Sequence, residues 1–297
     1  MPHEHRNHVD GSVGDGHEAA FDSVQMAAML DTEGELSGPL IGQAIASASR
    51  LLADRDGSVR RVLDLGCGPG VATTALAEAF PGATVVAVDG SATMLASVDK
   101  RSDRAGIGLR VEIRPVDLNG DLEALGRYDL VWAAMSLHHL DDEVVTLRRV
   151  RALLQPLGVL CVLERAEPTS VRWADDLGRP GLGDRLDEAW RRWSETRRAH
   201  LPGALNADVH PEMLAAAGLD VVGERTMASV VRPPDNESAG RFVTNLVERT
   251  VIELEGHAEQ ADLTAVRTFL DQHRASSARV PAGTGVRMSR RLFLAIR

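Results

Sequence analysis

The stretch Val62-Leu63-Asp64-Leu65-Gly66-Cys67-Gly68-Pro69-Gly70 constrains the fold of this chain more tightly than any other. Aliphatic residues flank an aspartate, and the segment then breaks into Gly-x-Gly-x-Gly. That pattern describes a buried strand running into a loop stripped of side chains, so that a ligand can touch backbone. In open α/β sheets such a loop, at the carboxyl end of a first strand, is where nucleotide-type ligands sit. Spacing separates the ligands. A dinucleotide fingerprint requires G-x-G-x-x-G. Here the third glycine comes one residue early, and Val71 stands where that pattern needs Gly or Ala. Asp64, two residues before the first glycine, is positioned to meet a cation. The loop therefore favours a ligand with an amino group over one with a pyrophosphate.

Around this segment, strands and helices alternate. The pattern predicts strand 1 at Val59–Leu65, a helix through Ala72–Ala79, and strand 2 at Thr84–Val88 closing on Asp89. Ser91 is suited to cap a helix carrying Met94 and Leu95. Strand 3 is expected at Leu109–Val116, ending at Asp117, and strand 4 at Tyr128–Ala134, ending near Met135-Ser136. Asp141 is expected to cap a helix through Leu154, and Pro156-Leu157-Gly158 to turn into strand 5, Val159–Glu164. Repeated units of this length imply a parallel sheet with right-handed crossovers. Amphipathic helices at Glu18–Leu30 and Glu35–Ala53 precede it, with Leu36, Leu40, Ile41 and Ile45 at helical spacing.

After residue 167 the rhythm changes. Residues 168–207 hold Trp173, Trp190 and Trp193, three of the four tryptophans in the chain. Leu186, Trp190 and Trp193 share one helical face, which suits either packing on the core or a lid over a pocket. A helix at His210–Ala217, a strand at Leu219–Val231, helices at Ser238–Leu254 and Ala261–His273, and a last strand at Arg291–Ile296 complete the pattern. The expected organisation is a single domain over 1–297. It comprises a tail (1–17), N-terminal helices (18–57), a ligand-binding core (58–165), and helical insertions at 168–207 and 232–285. His3, His5, His8 and His17 lie in the tail, where no structured partner or cysteine accompanies them, so a metal site is not expected.

Composition narrows the function classes. A formal net charge of -10 argues against a nucleic-acid partner. The two cysteines, Cys67 and Cys161, fall in predicted core strands or their ends and fit a reducing cytoplasm. No apolar run is long enough to span a membrane, and no signal peptide is evident, so a cytoplasmic protein without a membrane partner is expected. With 3% aromatics and a single tyrosine, Tyr128, an aromatic cage for a cation is not expected outside the tryptophan cluster.

Five segments recur together in order and spacing: Val62–Gly70, Asp89, Asp117, Tyr128–Leu140 (YDLVWAAMSLHHL) and Leu154–Val162 (LQPLGVLCV). In them the chain resembles the class I S-adenosylmethionine-dependent methyltransferases, over roughly residues 58–165. It is most similar to the branch of ubiquinone/menaquinone-biosynthesis and natural-product methyltransferases. LQPLG departs from the usual Leu-x-Pro-Gly-Gly, which affects only a turn. The resemblance implies a Rossmann-like α/β fold: a seven-stranded, mostly parallel sheet with the last strand antiparallel, flanked by helices, with N-terminal helices and helical insertions forming a lid. It implies S-adenosylmethionine as cofactor, with S-adenosylhomocysteine as product. Cofactor-binding positions are then Asp64 toward the methionine ammonium, the loop of Gly66, Cys67, Gly68 and Gly70, and Asp89 with Gly90 at the ribose. Met94 would lie on adenine, Asp117 and Leu118 at its amino group, and Ala134 and Met135 at the methionine end. His138 and His139 follow strand 4 where a base would act, and Glu164 is a further pocket-facing candidate. The alternative for the histidines is that they shape the loop, and for Asp117 that it starts the turn at Asn119-Gly120.

The expected function is methyl transfer to a small-molecule acceptor, in specialised metabolism. Nucleic-acid methyltransferases often carry an Asn/Asp-Pro-Pro-aromatic motif after strand 4, where this chain reads Ala-Ala-Met-Ser. A protein methyltransferase, a non-catalytic cofactor-binding protein and a dehydrogenase are the remaining alternatives. The helices of 238–273 are equally suited to a homodimer face or a lid.

Overall fold

The computed structural model describes residues 23–55, 58–137, 141–200, 211–274, 280 and 282–297. Its centre is a seven-stranded sheet in the order β3-β2-β1-β4-β5-β7-β6. The strands are β1 (Arg61–Leu65), β2 (Thr84–Asp89), β3 (Val111–Pro115), β4 (Tyr128–Ala134), β5 (Leu154–Trp173), β6 (Asp220–Val231) and β7 (Thr284–Ile296). The first five are mutually parallel, and β7 runs antiparallel between β5 and β6. The helices are α1 (Ser23–Leu36), α2 (Gly38–Asp54), α3 (Val71–Ala79), α4 (Ala92–Arg104), α5 (Glu143–Leu153), α6 (Leu182–His200), α7 (Pro211–Ala216), α8 (Glu237–Glu253) and α9 (Gln260–Arg274).

Both faces of the sheet are covered, which is why β1, β2 and β4 read as near-continuous apolar runs. On one face Val62, Leu130, Trp132, Cys161 and Leu163 pack with Leu40, Ile41 and Leu52 of α2 and with Phe242 and Val243 of α8. On the other, Leu63, Leu65, Val131 and Leu160 meet Leu147 and Val150 of α5 and Leu214 of α7. The odd and even residues of each strand thus serve different helical layers.

Several boundaries differ from the sequence expectation. β1 begins at Arg61, since the amides of Arg60 and Arg61 donate to the Asp129 carboxylate before the ladder starts. A turn at Gly108–Arg110 shortens β3, leaving Leu109 exposed. Asp142, not Asp141, caps α5: its carboxylate accepts from the Val145 amide at 2.9 Å, while the Asp141 amide donates to the Asn119 side chain. The largest difference is at β5. Arg-Ala-Glu-Pro breaks the apolar run at Glu164, yet the strand continues to Trp173 with register shifts at Arg165/Glu167 and Glu167/Ser170. β7 likewise starts at Thr284, seven residues before the expected Arg291, because pairing with β5 and β6 supplies the order that local apolarity does not. Residues 168–173, expected in a helical insertion, are therefore strand.

The tryptophans pack into the core. Trp173 and Trp190 are buried, with Trp173 edge-on to Phe269 at 5.5 Å and Trp190 edge-on to Trp193 at 5.2 Å. Arg249 lies over the Trp190 ring. α6 is tied to α9 by Asp262, which is 1% exposed and accepts from Arg179 at 2.6 Å and Arg185 at 2.7 Å. Among the described residues no helix is long and apolar enough to cross a membrane.

Candidate cofactor and acceptor site

The glycine loop joins β1 to α3 at the carboxyl edge of the sheet. Gly66, Gly68 and Gly70 all have positive φ (73°, 51° and 88°), a conformation that strains any residue with a Cβ. Their surroundings differ. A Cβ on Gly66 would lie 2.5 Å from the Ser136 Cβ, and one on Gly70 would lie 3.0 Å from Val98 of α4. One on Gly68 would meet nothing within 4 Å. Gly66 and Gly70 thus let protein approach protein, and Gly68 alone faces open space.

Asp89, at the end of β2, fixes this loop. One carboxylate oxygen accepts from the Gly68 amide at 3.0 Å and the other from the Ser91 amide at 2.8 Å. Each oxygen keeps a further lone pair. Ser91 caps α4 as expected, accepting from the Met94 amide at 3.4 Å. Met94 is buried and Gly90 is exposed beside it.

Asp64 is buried, with 1% exposure, and accepts from the Thr73 hydroxyl at 2.6 Å. Burial pushes its carboxyl up to about 7 from 3.8; the Thr73 bond opposes this and the charge of Asp89 adds to it. Cys67 packs with Ala87, Leu95 and Val98, and burial raises its thiol far above the range where a thiolate forms. The Cys161 thiol is raised by burial alone. Asp117 is exposed, and one of its oxygens accepts from the Asn119 amide at 2.9 Å, so it does start the turn before Gly120. Leu118 reaches to 3.4 Å from where a Gly66 Cβ would be.

Ala134 ends β4, and Met135 follows it at φ 54°, a strained value for a side chain of that size. The turn is held by Glu164, 4% exposed, whose Oε1 accepts from the amides of Ser136 at 3.1 Å and Leu137 at 3.0 Å. Ser136 is itself buried, and its hydroxyl has no hydrogen-bond partner among the described residues. His138 and His139 lie outside the described residues, as do His3, His5, His8 and His17.

The arrangement brings Asp64, the glycine loop, Asp89, Met94 and the Ala134–Ser136 turn to one edge of the sheet. Thr73, Ser136 and the anchoring role of Glu164 were not legible in the sequence. A hydroxyl nine residues after an acid, or an acid 28 residues after a turn, carries no local signal.

This edge falls within a segment that is similar to known proteins. Residues 63–160 match the family model described as a methyltransferase domain. Over this segment the chain is similar to methyltransferases. The trans-aconitate 2-methyltransferase of Variovorax paradoxus is 36% identical over 130 residues, covering 40% of this chain and 48% of that protein. The ubiquinone biosynthesis O-methyltransferase of Rhodopseudomonas palustris is 32% identical over 104 residues, covering 34% of this chain and 38% of that one. The chain thus spans about half or less of the curated relatives it matches. A solved candidate methyltransferase from Bacillus halodurans C-125 covers 84% of this chain and 98% of its own, at 16% identity and a TM-score of 0.50, a likeness of fold. The matched segment takes in the glycine loop and the ends of β1, β2 and β4. The long β5–β7–β6 extension and α6–α9 lie beyond the matched segment.

Proposed function

We propose that this chain is an S-adenosylmethionine-dependent methyltransferase acting on a small-molecule acceptor, of the kind used in specialised metabolism. The observation that carries the reading is the clamp of Asp89 on Gly68. It presents, side by side, the one loop glycine that faces open space and a carboxylate with spare lone pairs suited to two ribose hydroxyls. The remaining residues fit the same cofactor. Ser136 supplies a buried hydroxyl without a partner among the described residues beside Gly66, Met94 a thioether for an adenine face, and Asp117 and Leu118 an exposed turn for its amino group. Asp64 supplies a carboxylate that an ammonium nearby would return to its charged form.

When bound, the cofactor supplies a methyl group already activated on a sulfonium. The protein's task is then to align donor and acceptor and keep water out. Glu164 serves alignment by pinning the amides after Met135, and the strained Met135 backbone persists because that anchor over-determines it. His138 or His139 would act as base only for an acceptor that must lose a proton.

The small-molecule class is supported by relatives named for trans-aconitate and for ubiquinone biosynthesis. The net charge of -10 disfavours a nucleic-acid acceptor. Calorimetry with S-adenosylhomocysteine, followed by radiolabelled methyl transfer to a panel of small acceptors, tests the proposal. Saturable binding and transfer support it. Binding without transfer to any acceptor leaves a non-catalytic cofactor-binding protein, and no binding refutes both.

A further inference from the structure

The sheet ends on β6, and among the described residues no strand pairs beyond it. An outer strand presents a row of backbone N–H and C=O groups to any strand that can lie beside it. Proteins usually blunt such edges with short length, proline or lysine. β6 uses none of these. It runs for 12 residues, Asp220–Val231, without a proline or a lysine. Along it Glu224, Arg225, Thr226, Ala228 and Val230 are exposed, Val230 at 61%.

Two breaks define the part of this edge that can accept a partner. The ladder with β7 shifts register between Val221 and Gly223, which bends the strand there. At the other end Pro233 and Pro234 follow Arg232, and proline has no amide to donate. Arg232 itself precedes a proline, which favours extended backbone. The regular stretch is therefore residues 224–232, and its midpoint is Ala228.

This stretch is complementary to itself. Residues directly opposite each other in an antiparallel pair share a face of the sheet, so a two-fold axis must pass through a residue position. With the axis at Ala228, that residue meets its own copy, Thr226 faces the partner's Val230, and Glu224 faces the partner's Arg232. The smallest side chain of the stretch lies on the axis, β-branched pairs flank it, and opposite charges close both ends. Arg225 faces the partner's Val231, so no like charges are opposed. Arg232 is exposed and makes no ion pair among the described residues. Glu224 accepts from Arg291 through Oε1 alone, which leaves Oε2 for a second guanidinium.

We propose that β6 is a homodimer interface, in which residues 224–232 of two copies pair antiparallel about a two-fold axis at Ala228 and join two seven-stranded sheets into one. The occupant is a second copy of this chain because this single register satisfies the end charges of both strands and closes the assembly. One strand pair is a small interface, so a dissociation constant on the order of 10 μM is expected.

Sedimentation velocity on the full chain, from about 1 to about 200 μM, tests the proposal. Wild type should pass from monomer to dimer over that range, and the dimer should weaken as salt rises, because its end pairs are exposed. Ala228→Lys sets two ammonium groups opposite each other on the axis and should weaken dimerisation about tenfold or more. Its circular dichroism spectrum and melting temperature should stay close to wild type, since that side chain is exposed. Arg232→Glu opposes two carboxylates at each end and should weaken the dimer about threefold or more; adding Glu224→Arg exchanges the charges and should recover the loss. A chain that stays monomeric at the highest concentration, or a dimer indifferent to Ala228→Lys and Arg232→Glu, overturns the proposal. A double exchange that fails to recover what Arg232→Glu lost overturns the register about Ala228.

Discussion

Replacing Asp64 by asparagine isolates the electrostatic cost of placing a carboxylate under the glycine loop. Burial raises this carboxyl from 3.8 to about 7, with the Thr73 hydroxyl opposing the shift and the charge of Asp89 adding to it. Folded Asp64 thus keeps its proton through a window in which the unfolded chain has already released it. The folded state binds more protons there, so its stability falls as pH rises from about 4 to about 7. A rise of that size is worth a few kcal/mol, most of it lost between pH 5 and pH 8. An asparagine is nearly isosteric, can still accept from Thr73, and does not titrate. Urea denaturation of wild type and Asp64→Asn at the two pH values gives the double difference, in which other titrating groups cancel. Wild type should lose about 2–3 kcal/mol more than the variant on going from pH 5 to pH 8. An equal loss in both proteins would refute the argument, since it would mean that Asp64 titrates as a solvated acid. Ligand binding reads the same group. If an ammonium approaches Asp64, wild type should bind S-adenosylhomocysteine more tightly at pH 8 than at pH 5, while the variant should show little of this difference.

Three further outcomes follow from the geometry. Gly66→Ala forces a Cβ to 2.5 Å from Ser136 at a positive φ, whereas Gly68→Ala meets no atom within 4 Å. The first should lower stability by about 2–3 kcal/mol in thermal or urea unfolding, and the second by about 1 kcal/mol while weakening S-adenosylhomocysteine binding in calorimetry. Glu164→Ala removes the acceptor for two buried amides and should cost about 2 kcal/mol and most of the methyl-transfer rate; Glu164→Gln, which keeps an acceptor oxygen, should restore much of both. Asp262→Ala leaves Arg179 and Arg185 without their buried partner and should lower stability by about 2 kcal/mol at neutral pH. Because Arg185 above all holds the Asp262 carboxyl below its ordinary value, the difference should persist above the usual carboxylate range and shrink as pH falls through the depressed one, as acid titrations followed by circular dichroism would show.

The sheet core was legible in the sequence because its signals are local. Val62–Leu65 and Thr84–Val88 are apolar runs closed by glycine or acid, Tyr128–Ala134 is a third apolar run, and such runs become strands wherever both faces are covered. Asp89 was legible for the same reason, since it ends its strand and is followed by the capping Ser91. Where expectation fell short, the determinant was non-local. β5 runs on through Arg165, Glu167 and Pro168 only because β7 pairs along it, and the helical reading of 168–173 had no access to that partner. The tryptophans of 173–193 suited packing or a lid equally well on periodicity, and only the positions of Phe269 and Arg249 show them packed into the core.

The sequence by itself therefore determined the glycine loop, the places of the core strands along the chain and a loop spacing unlike that of a dinucleotide site, while the sulfonium cofactor was an expectation from the resemblance over residues 58–165. The loop, its spacing and the strand positions follow from residue types within a few positions of one another, where backbone freedom and periodicity act. Only the tertiary structure separated the three glycines into two that admit protein and one that faces open space. It also showed Asp64 buried on Thr73, Glu164 turned to backbone amides, and Glu33, Arg165 and Arg290 gathered from three elements around one oxygen. Those facts depend on which groups lose water together, and that is decided when distant segments pack, since the cost of burying a charge belongs to its surroundings and not to its neighbours in the chain.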